Sequence, residues 1–439
     1  MSKKIVDNKS FIKRNLFPVR INDYMSLSGK YDDSAYLLYA PLNKRSMLCS
    51  EEQINAWRSQ LNASGRFSDD NLNRLLLDNQ LSQDQGFVCS PRDVYAMTLL
   101  PNNICNFSCS YCYAAKGHGS DEMSEQTLKT VLDFFIDPDR ISRRDLHISF
   151  GGGGEPLLSW DRMLYAMRYA TERADKHGFK VHFSFASNGS VISSEIINEL
   201  KRYNVKTNIS FDILEDVQNR QRRNYKRVCQ TLDMLLDNDI MPTINSVITP
   251  LNVSRQCEMV EQVHRRFPKL RRLTFDYVVD GQLFSTPDEL RSFLRDYTTH
   301  FYQARDLGFS YGTIDVSSIK HHNLGMIKSR ACAGGFDVNA HGDISMCFFV
   351  SSPQETLYDD FIYGHVRDGR VEYDEQKFKA LIDYSSNSRD DCHDCFLRWN
   401  CGGGCLFHEK SYSREMLDEM CRFQREFSLI ALLKQFDDE

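Results

Sequence analysis

The sequence predicts an α/β protein: a partial (β/α)6 TIM-like barrel, preceded by a small α+β unit and followed by a cysteine-rich domain. Three observations predict it. Between residues 93 and 318, six apolar strand-like runs alternate with five amphipathic helical patterns, the signature of repeated βαβ units. Residues 1–92 read as two short strands followed by helices, without closely spaced cysteines. Residues 319–439 carry seven of the fourteen cysteines, among short strand and turn signals and clustered glycines.

In the N-terminal unit, Tyr36-Leu37-Leu38-Tyr39 is strand-like, Pro41 to Lys44 reads as a turn, and Ser46 to Cys49 pairs back as a hairpin. Ser50-Glu51-Glu52 opens a helical stretch through Trp57. Ser68-Asp69-Asp70 starts a second helix, with Leu72, Leu75, Leu76 and Leu77 as its apolar face. Gln83-Asp84-Gln85-Gly86 looks like the exit linker.

In the central region the predicted strands are Val94 to Leu100, His147 to Phe150, Val181 to Ala186, Val205 to Phe211, Met241 to Ile248 and Leu273 to Tyr277. Ser124 caps a helix with Leu128, Val131, Leu132 and Phe135 on one face. Further helices cover roughly Trp160 to His177, Ser194 to Tyr203, Asn224 to Asp237 and Ser254 to Phe267. Right-handed crossovers curl such a sheet toward a barrel, and chemistry then sits on the loops after the strands. The chain closes on a helical pattern from Arg414 to Gln435.

The 439 residues include 54 basic and 60 acidic side chains, for a formal charge of −6, with 41% hydrophobic and 26% charged residues. That is the composition of a folded globular protein, not a disordered one. The mild negative charge gives no support for a nucleic-acid or anionic-membrane surface. Mean hydropathy is −0.47, and no stretch nears the roughly 20 apolar residues that span a bilayer. Met1-Ser2-Lys3-Lys4 is basic, but no apolar signal core follows it, so the expected location is the cytoplasm. In that reducing compartment, fourteen cysteines point to metal or redox chemistry rather than disulfides.

Spacing sharpens this. Cys105, Cys109 and Cys112 form C-x3-C-x2-C directly after the first barrel strand. A [4Fe–4S] cluster normally takes four cysteines. Three would leave one iron open, and an open position marks a catalytic site. The alternative is zinc with a fourth ligand such as His118. Gly151-Gly152-Gly153-Gly154-Glu155-Pro156 ends the second strand. Glycines there permit close backbone approach to a ligand.

Together these residues resemble the radical S-adenosylmethionine (SAM) superfamily, with Tyr111 as the aromatic before the third cysteine. The resemblance implies that Cys105, Cys109 and Cys112 ligate the catalytic [4Fe–4S] cluster, whose open iron chelates SAM. It places Gly153, Gly154 and Glu155 at the methionine amino group and Ser187-Asn188-Gly189 at the ribose. Ser210 and Asp212, ending the fourth strand, also fall at SAM, and Arg222 at its carboxylate. Arg220 to Arg223 also reads as a solvated basic turn.

Downstream come Cys332, nine residues, Gly342, four residues and Cys347, then Cys392-x2-Cys395-x5-Cys401-x3-Cys405, a gap, and Cys421. This resembles the seven-cysteine SPASM extension of peptide-modifying radical SAM enzymes. The resemblance implies two auxiliary [4Fe–4S] clusters. Cys392, Cys395, Cys401 and Cys421 would hold one; Cys332, Cys347 and Cys405 would supply three ligands of the other. Some relatives have an eighth cysteine soon after the first; Gly334 to Asn339 contains none, which leaves water, Asp337, a distant cysteine or a substrate thiol for the fourth position. Cys49, Cys89, Cys229 and Cys257 belong to no motif and read as buried or incidental thiols, with Cys89 the first to test.

The implied activity is that of a maturase. It would use a 5′-deoxyadenosyl radical to modify a ribosomally made peptide, by C–S or C–C crosslinking, under anaerobic or protected conditions. The partners implied are the precursor peptide and a low-potential electron donor such as flavodoxin or ferredoxin. The N-terminal unit resembles the small peptide-recognition elements of such maturases, which pair a leader with a free sheet edge. Two alternatives stand beside it: an anaerobic sulfatase maturase forming formylglycine, and a non-catalytic iron–sulfur binding partner. Sulfatase maturases place an aspartate after the second SPASM cysteine, where this chain has Phe348 and Phe349. Non-catalytic relatives lose the three-cysteine loop, which is intact here.

Overall fold

The computed structural model describes residues 8–24, 31–82, 88–279, 283–318 and 323–436. The expected linker, Gln83 to Gly86, lies outside the described residues. The chain divides into two units. One comprises Met1–Phe87, His321–Ala333 and Ile382–Glu439; the other comprises Val88–Lys320 and Gly334–Leu381.

The first unit is built on a three-stranded antiparallel sheet of β1 (Phe17–Arg20), β2 (Ala35–Ala40) and β3 (Arg45–Ser50), in that order. The hairpin of β2 and β3 is the expected one; β1 is an added strand, too short and too broken by Pro18 to read as one. Pro18 has no N–H to give a ladder, and β1 stands at the edge, where that loss is tolerated. The central strand β2 is buried on both faces. Leu37 and Tyr39 pack with Phe396, Trp399 and Leu429 from the far end of the chain. Tyr36 and Leu38 pack instead with Ile54, Leu61 and Leu76 from the N-terminal helices. Alternation of side chains across a strand explains the split.

Helix Glu51–Ser64 starts at a capping box between Ser50 and Gln53 and stops at Gly65, whose φ is +78°. Helix Asp70–Leu76 is capped by Asp69. Here the expected apolar face changes. Leu76 is buried, but Leu75 is 47% exposed. The buried position goes to Asn73, whose amide exchanges two 2.9 Å hydrogen bonds with the Phe67 backbone.

The second unit holds the barrel portion. Strands β4 (Ala96–Leu99), β5 (Asp145–Phe150), β6 (Lys180–Ser187), β7 (Lys206–Ser210), β8 (Thr243–Ile248) and β9 (Arg272–Tyr277) are the six expected, parallel and adjacent in chain order. Their order never reverses, which is the winding of a partial barrel rather than of a doubly wound sheet. The sheet runs further than expected on both sides. β10 (Asp315–Ser317) pairs in parallel with β9. β11 (Asp337–Val338) pairs in parallel with β4 and leads into β12 (Asp343–Ser345), β13 (Ile362–Arg367) and β14 (Arg370–Tyr373), all antiparallel.

The helices follow the predicted pattern. Glu125–Phe135 is capped by Ser124 and buries Leu128, Val131, Leu132 and Phe135. Trp160–His177, Ser194–Arg202, Tyr225–Asp237 and Gln256–Arg266 follow. Glu215–Gln221 and Pro287–Ser310 are additional. Among the described residues no helix is long and apolar enough to cross a membrane.

The contrast between neighbouring leucines is testable. Leu76→Ala should cost about 2–5 kcal/mol, because it empties a packed position. Leu75→Ala should stay within about 0.5 kcal/mol. Urea unfolding of the two variants measures the difference.

Candidate functional site

The loops after β4, β5, β6 and β7 meet at the C-terminal ends of the strands. Cys105, Cys109 and Cys112 are all half-buried on the first loop. Ser110 N–H donates to the Gln221 carbonyl at 2.9 Å, and Cys112 N–H to the Cys109 carbonyl at 3.2 Å. Burial pushes all three thiols up, Cys109 to about 11. Their charges bear on one another, and the Arg222 guanidinium pulls each back down. Three thiols near a buried cation suit an anionic cluster, which needs thiolates as ligands. His118 Nε2 lies 3.8 Å from Cys112 Sγ, so the second donor considered for this loop is beside it.

The glycine run is held by close packing. Gly152 and Gly153 have φ of +81° and +64°, a region that suits glycine. A side chain on Gly154 would run into the backbone of Ile104. Gly154 N–H donates to the Asn102 carbonyl at 3.1 Å, and Glu155 N–H to the Ile104 carbonyl at 2.7 Å. Asn102 is fully buried and returns the contact: its amide donates to the Glu155 carbonyl at 3.0 Å and to Ser159 Oγ at 2.7 Å. Sequence reading missed Asn102; its signal is a polar pair, Asn102-Asn103, directly after an apolar strand.

Glu155 is 2% exposed. Its carboxylate accepts from Ser187 Oγ at 2.7 Å, Asn188 N–H at 2.6 Å and Leu157 N–H at 3.1 Å. Burial raises its pKa, and these donors and Arg222 oppose the rise. Asn188 reaches on to Asn106 Oδ1 at 3.0 Å and stands 4.0 Å from Cys105 Sγ. The second, third and first loops are thus tied in series.

A second tie joins the first and fourth loops. Tyr111 donates its hydroxyl to both Asp212 oxygens, at 3.0 and 2.9 Å, and accepts from Arg222 Nη1 at 2.9 Å. Asp212 is fully buried and also accepts from Gln221 Nε2 at 3.1 Å and the Val247 N–H at 3.3 Å. Burial raises its pKa, and Arg222 leads the opposing effects. Arg222 is 7% exposed, whereas Arg220 and Arg223 are exposed, so the solvated-turn reading fails for Arg222. Its Nε is buried without a partner, which leaves a cationic donor for a ligand. Ser210 is half-buried at the end of β7.

In the other unit Cys392, Cys395, Cys401 and Cys421 come together. Cys392 closes a short turn, Cys401 ends helix Arg398–Cys401, and Cys421 projects from helix Arg414–Leu433. Burial comes first in raising their thiols, to about 11 for Cys392 and about 12 for Cys401, and neighbouring thiols add to it. Arg389 and Arg425 oppose this at Cys421, and Arg425 hydrogen-bonds Cys395. Gly402, Gly403 and Gly404 all have positive φ, and the first two are pressed against backbone at Arg330–Ala331 and Ser385–Ser386. Among the described residues no three His, Cys, Asp or Glu side chains converge on a single-ion position. Cys332 and Cys405 lie in this unit, Cys347 in the barrel unit. Cys332 is exposed and the other two are half-buried. Of the unassigned thiols, Cys49 and Cys229 are buried, Cys257 is half-buried and Cys89 is exposed.

The parallel-wound sheet thus carries three thiols and a glycine-rich turn at its strand ends. Residues 99–262 match the model of the radical SAM superfamily. The barrel portion is therefore similar to radical SAM domains, a fold that binds SAM and a [4Fe–4S] cluster. It is 26% identical over 176 residues to the radical SAM cyclopropyl synthase TigE of Paramaledivibacter caminithermalis, a match covering 36% of each chain. It is 29% identical over 150 residues to an uncharacterized protein of Methanocaldococcus jannaschii, covering 34% of this chain and 49% of that protein. The matches thus span about a third to a half of these curated relatives. Among solved structures it resembles native anSMEcpe with bound AdoMet, with TM-score 0.61 and 17% identity over 78% of this chain and 99% of that one. It also resembles Streptococcus suis SuiB bound to precursor peptide SuiA, with TM-score 0.52 and 13% identity over 91% and 98%. At such identities the likeness is one of fold.

Two predictions follow from the geometry. Gly154→Ala should destabilise the protein by more than about 3 kcal/mol, since backbone must move to admit the methyl group. Gly178→Ala, with φ of +68° but open space around it, should cost about 1 kcal/mol; thermal unfolding compares the two. The other concerns Asp337, 7% exposed and pushed up by burial to about 7. Its folded value lies above the ordinary one, so the folded protein keeps a proton the unfolded chain has lost. Stability from this group is full below about pH 4 and falls as pH rises to 7, by up to roughly 4 kcal/mol. Asp337→Asn should flatten that slope in Tm measured from pH 5 to 8.

Proposed function

We propose that the protein is a radical SAM/SPASM maturase that modifies a ribosomally made peptide by forming a C–S or C–C crosslink. The observation that carries this reading is the meeting of the three-cysteine loop with the buried Tyr111–Asp212–Arg222 network at the strand ends. When bound, the cluster and SAM supply a one-electron cleavage that yields a hydrogen-abstracting 5′-deoxyadenosyl species. Cys105, Cys109 and Cys112 would hold the cluster. Arg222 offers its unpartnered Nε to the SAM carboxylate, and Asp212 and Tyr111 fix its orientation. Glu155 keeps Ser187 and Asn188 in place for the nucleoside. Cys392, Cys395, Cys401 and Cys421 would hold one auxiliary cluster, and Cys332, Cys347 and Cys405 three corners of another. Held there, these clusters would supply an acceptor for the second electron when the substrate is oxidised, and a flavodoxin or ferredoxin would supply the first.

The peptide substrate is supported by the likeness to SuiB with its precursor peptide and by the N-terminal sheet. A cavity of about 450 Å³ runs along β1, lined by all four of its residues together with Tyr24 and Phe396. Successive strand residues face opposite sides, so a cavity touching all four follows the strand's edge. That is where an extended leader can lie. The likeness to anSMEcpe keeps formylglycine formation as the second reading; Phe348 in place of an acid stands against it.

Anaerobic reconstitution with iron, sulfide, SAM and dithionite tests this. About twelve irons per chain, four for each of three clusters, are expected, with release of 5′-deoxyadenosine. Cys112→Ala should abolish the release, and Cys401→Ala should lower the iron by about four. Stoichiometric zinc without SAM cleavage would overturn the reading. Mass spectrometry of a precursor peptide should show loss of two hydrogens per crosslink; conversion of a sulfatase peptide instead would favour the second reading.

A further inference from the structure

The two phenylalanines after Cys347 have no role in the chemistry described so far. Both meet Tyr113, the residue after Cys112. The Tyr113 ring centroid is 4.5 Å from that of Phe349 and 6.3 Å from that of Phe348, and the phenylalanines are 4.6 Å apart. Three touching rings therefore join the three-cysteine loop to the turn that carries Cys347. They are not core. Tyr113 is 37% exposed and Phe348 39%. A lone exposed aromatic is ordinary; two in contact beside a reactive loop mark a binding surface.

The backbone beneath these rings is fixed. The Phe348 N–H donates to the buried Asp337 carboxylate. The Phe348 carbonyl lies against Gly152, 3.4 Å from where a side chain there would begin. On the other flank, Gly117 packs against Ser352 with no room for a side chain. Rings on a rigid support lose little entropy when a ligand arrives, so contact area converts well into affinity.

The two carboxylates nearest the rings are already engaged. Asp337 accepts from Thr98 and Phe348. Glu355 accepts from the Ser351 N–H at 2.6 Å, the Ser352 N–H at 3.3 Å and the Ser351 hydroxyl at 3.0 Å. A hydroxyl or carboxylate entering here would lose water and gain little of the ring contact area, at a cost. An apolar side chain gives up no hydrogen bond to water.

We propose that Tyr113, Phe348 and Phe349 form an aromatic subsite that takes an aliphatic or aromatic side chain of the substrate peptide and sets it beside the three-cysteine loop. The proposal rests on the peptide-maturase reading and gives it a substrate class: the side chain presented to the radical is apolar, not serine or cysteine.

The test uses the anaerobically reconstituted protein with SAM and oxidised clusters. Saturation-transfer NMR reads binding of N-acetyl-leucinamide, N-acetyl-phenylalaninamide and N-acetyl-serinamide. The two apolar amides should bind and the serine amide should not. Phe348→Ala and Tyr113→Ala should each weaken the leucine amide about tenfold, the worth of one buried apolar contact surface. Phe348→Leu should keep binding within about threefold, and Phe348→Asp should abolish it; an unchanged Tm in all four variants shows that they fold. Serine amide binding as well as leucine amide, or leucine amide indifferent to Phe348→Ala, overturns the proposal. Release of 5′-deoxyadenosine by the same wild-type preparation separates the two readings. Its absence sinks the proposed function; its presence with no apolar preference sinks the subsite alone.

Discussion

One buried carboxylate holds the site in shape. Glu155 lies at the end of the glycine run with three donors on it, from two loops. A carboxylate taken out of water is costly unless its lone pairs are met, and removing one partner leaves the rest of that cost behind. Here the donors include a backbone N–H of Asn188, so the carboxylate fixes main chain as well as side chain. Asn188 then braces Asn106 beside Cys105. The position of a cysteine on the first loop therefore depends on a glutamate on the second acting through the third. Glycine at position 154 is part of the same constraint, because only its bare Cα lets Glu155 sit this close to Ile104.

The Tyr111–Asp212–Arg222 network answers a different problem. Three thiols share a buried space and raise one another's pKa. A permanently charged guanidinium nearby makes thiolates less costly there. Arg222 is itself buried and needs its own counter-charge, which Asp212 supplies through Tyr111. The four-thiol site in the other unit repeats the solution with different parts. Arg389 and Arg425 face its thiols, and Arg389 is held by Glu409 at 2.9 Å. In both places a paired arginine, buried at Arg222 and half-buried at Arg389, sits where sulfur charge collects.

Much of this was legible in the sequence, for reasons that can be named. The six strands and five helices came through because each carries a strong local period; Trp160–His177 ends at Gly178, as a helix of that pattern should. The cysteine motifs were readable because ligand spacing is local. Helix Pro287–Ser310 announces itself with Thr286, Pro287, Asp288 and Glu289, a start signal that was readable and passed over. Strands β10 and β11 are different. At three and two residues they carry no period, and only pairing with a finished sheet makes them strands. Arg222 looked like part of a solvated basic turn because its neighbours are; it is buried against Tyr111, 111 residues away, whose hydroxyl Asp212 holds. The core shared by β2 and the C-terminal helix is equally invisible locally.

The strand order also explains why function concentrates where it does. Because β4 to β9 follow one another without reversal, every crossover brings the chain back with the same sense, and every strand ends on the same rim. Loops from separate strands then converge there, the longest being the cysteine loop between Leu99 and Glu125. β11 exploits the same rim from outside the repeat. It pairs with β4 in parallel, and the hairpin it starts with β12 carries the chain back to the turn of Cys347, Phe348 and Phe349. Asp337 on β11 takes the Phe348 N–H, and Thr98 on β4 takes part in holding that carboxylate. A short strand added to the barrel's first edge is thus enough to set a rigid aromatic surface against the loop that follows β4. Specificity can then be altered on the added turn while the tie from Glu155 to the cysteine loop stays as it is.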